Sequence, residues 1–137
     1  LSFCKVGGWM VSTFICYDLR FPELFQLASS RAELIVVPAN WPEDRVEHFK
    51  ILLKARAIEN QCYIAGINRV GRARTSVYSG DSLIVDPFGR ELAHGGREEE
   101  LLVADLDLEM VQKYRETFPA KIDRKPELYR RLADELK

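Results

Sequence analysis

Two short apolar runs constrain this chain most: "ELIVVPA" at residues 33–39 and "CYIAGINRV" at residues 62–70. Each has the length of a strand, and neither shows the polar alternation of a strand with one wet face. Between them stands "PEDRVEHFKILLKARAIENQ", where Val46, Phe49 and Leu53 recur at helical spacing. Its acids lie near the front and its bases later, as the helix dipole favours. Apolar strand, helix, apolar strand predicts an α/β fold with helices layered outside a sheet that is covered on both faces.

The flanking segments extend this plan. "LSFCKV" and "WMVSTFIC" are β-prone runs separated by Gly7 and Gly8, which suit a tight hairpin turn, so a hairpin ending at Cys16 is predicted. That turn sets Cys4 opposite Val11, and a Cys4–Cys16 disulfide would require the strands to slip. Pro22 opens a helix, "PELFQLASSRA", with Leu24, Leu27 and Ala28 as its apolar stripe. Residues 71–80 read as a mobile loop at the rim. "DSLIVD", "RELAH" and "ELLVADLD" read as successive strands, and Asp107 as the N-cap of a helix whose Leu108, Val111, Tyr114 and Phe118 share a face. Past Pro119 the chain turns polar and ends in "PELYRRLADELK", where Leu128, Leu132 and Leu136 form a row that must dock on something. Neither repeat nor linker interrupts the sequence, so residues 1–137 read as one packed unit with 119–137 as a C-terminal extension.

Lys and Arg number 20 against 21 Asp and Glu, for a net charge of −1, which argues against a nucleic-acid surface or a polybasic membrane patch. A small partner, uncharged or anionic, fits equally. No apolar run approaches the roughly 20 residues of a membrane helix. Cys4, Cys16 and Cys62 are odd in number and lack metal-ligand spacing, which favours reduced thiols and a cytoplasmic setting, with no metal or other cofactor. The absence of Met at position 1 suggests a chain that starts partway through something longer.

Chemistry concentrates in "FICYDLRFPE", residues 14–23. Free cysteines are usually buried small hydrophobes, and Cys16 has that reading. The alternative is a nucleophile elbow: a strand ending in a thiol and turning sharply toward a helix, with the Tyr17 N–H aimed at the same point. An ordinary thiol, with a pKa of about 8.5, needs a base or cationic neighbour. His48 and His94 both occupy ordinary surface settings, so the base lies elsewhere. Asp18, Arg20 and Glu23 read as a solvated turn or, for Arg20, as a bidentate receptor for a substrate carboxylate. In "PANWP", at the end of a buried strand, Asn40 offers hydrogen bonds and Trp41 an apolar wall to a ligand. Equally, Asn40 supports a turn and Trp41 caps the core. Glu59, late on its helix, is expected to pair with a nearby arginine. The 71–80 loop carries Arg72 and Arg74 but no phosphate-cradle pattern.

These residues resemble the nitrilase superfamily of carbon–nitrogen hydrolases, in its ω-amidase-like branch. "ICYDLRFPE", "VVPANWP", "KARAIENQCYIAGINRVG", "YSGDSLIVDPFG" and "YRETFPA" carry the resemblance along nearly the whole chain. It implies that Cys16 attacks the carbon of a small-molecule amide, forms a thioester and releases ammonia, with the Tyr17 N–H holding the oxyanion. Arg20, Asn40 and Trp41 would bind substrate. The implied fold is the α-β-β-α sandwich, usually dimerised, and a homodimer would give the Leu128, Leu132 and Leu136 row a place to dock.

The family's catalytic Glu and Lys precede the nucleophile by a long way, and only fifteen residues precede Cys16. Lys5, in the hairpin, cannot stand for that lysine. The chain thus resembles the C-terminal half of a carbon–nitrogen hydrolase domain, and a missing N-terminal half is an expected partner. Losing a general base costs about 10²- to 10⁴-fold in rate, so the chain alone should be nearly inactive. A noncatalytic assembly or regulatory module that keeps the fold is the competing expectation.

Overall fold

The computed structural model describes residues 1–136. Its main sheet has six strands in the order β1-β2-β3-β4-β7-β8. These are β1 (Phe3–Val6), β2 (Trp9–Thr13), β3 (Leu34–Ala39), β4 (Tyr63–Asn68), β7 (Leu83–Val85) and β8 (Glu91–His94). β2, β3 and β4 run parallel, and the pairs at either end are antiparallel. The β1–β2 hairpin has the expected register, Cys4 opposite Val11, with Gly7 and Gly8 both at positive φ. All three cysteines are free.

Helices α1 (Pro22–Ala28) and α2 (Val46–Asn60) cover one face of the sheet. The row Ser12, Ile35, Ile64 and Val85 runs across four strands on that face and is buried throughout. The adjacent row, Thr13, Val36, Ala65, Ile84 and Ala93, points the other way and is exposed or half-buried at every position. The expectation of a sheet covered on both faces is thus met on one face only, because the described residues contain no second layer for the other. Within α1 the buried positions are Phe25 and Ala28, while Leu27 is exposed, a rotation of the expected stripe. In α2, Phe49 and Leu53 enter the core as their spacing predicts, and Arg56, Ala57 and Asn60 continue the same face.

Residues 71–80 are not a bare loop. β5 (Val70–Arg72) and β6 (Val77–Ser79) form a separate two-stranded ladder closed by a bond from Ala73 N to Ser76 O. Conversely, residues 101–107 join no ladder, although exposure alternates along them as in a strand. Their apolar alternation is real, but the described residues offer no neighbouring strand.

Asp107 caps α3 (Leu108–Thr117), accepting from Met110 N at 3.1 Å. Val111 is its buried anchor. The end of α3 and the segment after it are held by cations set on carbonyls at and just beyond the C-terminal ends of the two core helices, where the dipole attracts positive charge. Arg115 donates to Gln61 O and Ala32 O, Lys121 to Ser29 O, and Arg124 to Gln26 O and Glu59 O. α4 (Pro126–Glu135) leaves Leu128 and Leu132 exposed, as is Leu136 just beyond it, and Lys137 lies outside the described residues.

Candidate active site

β2 ends at Thr13, and Phe14 N still donates to Val36 O at 3.0 Å, so the chain leaves the sheet along β3. Ile15 remains extended, and Cys16 then flips to a φ of +46°, in the left-handed region that side chains other than Gly, Asn and Asp rarely adopt. A single 3₁₀ turn, Cys16–Arg20, follows and leads through Phe21 into α1. This is the strand-to-helix elbow the sequence points to, with the strain located on the thiol-bearing residue itself.

Three contacts hold the elbow in place. The Asp18 carboxylate accepts from Ile15 N at 2.9 Å, and Asp18 N donates back to Ile15 O at 3.0 Å. Leu19 is fully buried, pinning the turn to the core. The Leu19 carbonyl accepts both Nε and Nη2 of the buried Arg56, at 3.1 and 2.8 Å. Arg56 is in turn paired with Glu59 at 3.0 Å, which meets the expectation for Glu59. Asp18 is therefore a brace rather than a solvated charge. Arg56 was not among the sequence candidates, because an arginine on a helix has an ordinary surface reading.

The Cys16 thiol is half-buried and opens into a cleft of about 420 Å³ at the C-terminal ends of β2, β3 and β4. Open parallel sheets place their ligands there. Asn40 and Ile67 line this cleft with it, as do Asn68 and Arg69. Tyr17 follows directly, its side chain exposed and its ring edge-on to Phe21 at 5.5 Å. As an early residue of a helical turn, it carries one of the N–H groups that such turns leave without an internal acceptor.

Arg20 and Trp41 are brought together, but beside the cleft rather than in its lining. The Arg20 guanidinium lies 4.8 Å from the centre of the Trp41 ring. Trp41 is itself buried, stacked obliquely on Phe49 and donating from Nε1 to Arg45 O. The loop bearing Asn40 is shaped by Asn68, another residue that sequence reasoning passed over. Its Oδ1 accepts from Trp41 N at 2.7 Å, and its Nδ2 donates to Trp41 O and Gly80 O at 3.1 and 2.7 Å. A polar residue closing an apolar strand at the ligand end of the sheet was the available signal.

The other titratable groups lie apart from Cys16. Burial pushes the Cys62 thiol up to about 12, so it is an inert core residue. His94 sits between Asp81 and Glu91 at 3.2 and 3.3 Å, on the β8 side of the sheet. Among the described residues no group of His, Cys, Asp and Glu could hold a metal ion, and no helix is long and apolar enough to cross a membrane.

The Carbon-nitrogen hydrolase family matches residues 2–116. The chain belongs to that family. The chain is 42% identical over 129 residues to 2-oxoglutaramate amidase of Bacillus subtilis (strain 168), covering 93% of this chain and 50% of that protein. It is 45% identical over 116 residues to the omega-amidase YafV of Yersinia enterocolitica, covering 82% and 44%. These relatives put it in the ω-amidase-like branch of the nitrilase superfamily. A similar solved structure is a mutant of the amidase from Nesterenkonia sp. AN1, with the acetamide moiety of fluoroacetamide covalently added at its active-site cysteine. It aligns with a TM-score of 0.80 at 36% identity over 95% of this chain and 46% of that one, so the mixed α/β fold is that of the superfamily. The chain spans about half the length of the relatives it matches.

Proposed function

We propose that this chain is the nucleophile-bearing C-terminal part of an amidase acting on a small ω-amide of a dicarboxylate-derived acid. One observation carries the reading: Cys16 occupies a braced, left-handed elbow and opens into the cleft at the ends of the parallel strands. A purely structural cysteine gains nothing from that conformation. The Cys16 thiolate attacks the amide carbon, and the Tyr17 N–H helps hold the charge that develops on oxygen. The carbon–nitrogen bond breaks as the nitrogen takes a proton and leaves as ammonia. Water then cleaves the thioester, releasing the carboxylate and restoring the thiol. Asn40 lines the pocket, and the Arg20–Trp41 stack lies beside it, outside the lining.

The base and the lysine come from an N-terminal half that also covers the open row Thr13, Val36, Ala65, Ile84 and Ala93. The half-length match to the relatives and the apolar character of that row support this reading. The exposed leucines of α4 suit a homodimer in the assembled enzyme.

The test is ammonia release from a panel of small ω-amides, by the chain alone and by the chain coexpressed with the N-terminal half of a relative. Turnover only in the complemented sample, and lost in Cys16→Ala, is expected. A stable complex without Cys16-dependent turnover would leave the noncatalytic assembly module as the better reading.

A further inference from the structure

Among the described residues lining the Cys16 cleft, Arg69 alone is charged. Arg20, which the sequence offered as a carboxylate receptor, lies outside that lining, beside Trp41. Arg69 directly follows β4, and its backbone is fixed on both sides. Its N–H donates to Ala39 O at 3.0 Å, and its carbonyl accepts from Gly80 N at 3.1 Å. Its guanidinium lies 4.7 Å from the centre of the Tyr78 ring, on the small β5–β6 ladder.

That stacking has a chemical consequence. The five N–H donors of a guanidinium lie in its plane, so an aromatic ring against one face restrains the group and leaves the donor edge free. The edge of a restrained guanidinium matches the two oxygens of a carboxylate bidentately. Asn40 adds a neutral polar group, the Asn68 amide being engaged with Trp41 and Gly80, while Ile15, Pro38 and Ile67 make the rest of the wall apolar. The pocket therefore offers one place for negative charge, on the β4 side of the nucleophile.

We propose that Arg69 is the specificity-determining residue of this site, binding a carboxylate carried by the substrate at the end remote from the reacting amide. The identity of the electrophile rests on the amidase reading above; the placement of the anion does not.

The test uses two alkylating agents of similar size, one carrying a carboxylate and the other a neutral carboxamide. Iodoacetate and iodoacetamide both transfer a methylene carbon to a thiolate with loss of iodide. Their rates at Cys16 are measured on the chain at low ionic strength and expressed as a ratio, normalised to the same ratio for a free thiol. Peptide mass spectrometry separates Cys16 from the exposed Cys4. Arg69→Gln should lower the normalised ratio about fivefold, as expected for loss of a partly solvated charge-assisted contact. Arg69→Lys should retain part of the preference, and Arg20→Gln should leave it unchanged. A wild-type ratio equal to that of the free thiol, a ratio insensitive to Arg69→Gln, or an equal fall in Arg20→Gln would each overturn the proposal. An Arg69-dependent ratio in a chain whose complemented form releases no ammonia would remove the amidase reading and leave the anion site standing.

Discussion

Arg56 and Leu19, 37 residues apart, are joined by two hydrogen bonds from one buried guanidinium to one carbonyl. The long helix α2 thereby holds the turn that carries Cys16. Arg56→Ala would strand that carbonyl and remove the partner of Glu59, costing about 2 to 4 kcal/mol in urea denaturation. Arg56→Lys can restore the charge but not the forked geometry, so it should recover only part of the loss. An Arg56→Lys variant as stable as wild type would mean that only the charge matters.

Cys16 itself should behave unlike an ordinary core residue. At a φ of +46°, glycine is at ease and a β-branched residue is not. Cys16→Gly should abolish alkylation at the elbow while melting at or near the wild-type temperature. Cys16→Val should cost roughly 1 to 3 kcal/mol. Thermal melts of the pair decide this, and a Val variant as stable as the Gly variant would show that the elbow relaxes freely.

Gly66 marks where α2 presses closest on the sheet. A Cβ there would lie 2.3 Å from Leu53 Cδ1 and 2.9 Å from Phe49 Cζ. Gly66→Ala should destabilise by about 1 to 3 kcal/mol through overpacking. The double variant Gly66→Ala, Leu53→Ala should show clear non-additivity in the same denaturation assay, because the two side chains compete for one space.

Lys121 predicts a pH dependence. Burial, with Arg115 and Arg124 nearby, lowers it from 10.5 to about 7 in the folded chain. Above that value the unfolded chain holds a proton that the folded chain has shed, so stability should rise from pH 7 toward pH 9. Beyond pH 9 Cys62 acts in the opposite sense, since burial raises it from 9.0 to about 12. The slope should fall well below the ~1.4 kcal/mol per pH unit of a full proton, because the amine keeps some contact with water. Urea midpoints at pH 6 to 9 should show the rise in wild type and its loss in Lys121→Met.

Much of the frame was legible because periodicity reports burial directly. The runs at 33–39 and 62–70 became β3 and β4, Cys4 faces Val11 across the hairpin, and Asp107 caps α3. What escaped depends on partners far away in sequence. Residues 101–107 alternate like a strand yet have no ladder, and β5 and β6 are three-residue strands whose Gly, Arg and Ser content hides any alternation. At the site, the thiol's elbow was readable from "FICYDLRFPE". Arg56, Asn68 and Arg69 were not, since their roles come from which carbonyl, loop or ring each one meets after folding.

The clamp on residues 115–124 has a further consequence, for how the molecule can change over time. Arg115, Lys121 and Arg124 grip the chain mainly through carbonyls of Gln26, Ser29, Ala32, Glu59 and Gln61. Every amino acid supplies a carbonyl, so replacing the side chain at a receiving position leaves the acceptor intact. Replacing one of the three donors removes the bond outright. Drift is therefore tolerated on one side of this contact and resisted on the other, and related chains should vary at the half-buried Gln26 while keeping a long cation at 115, 121 and 124.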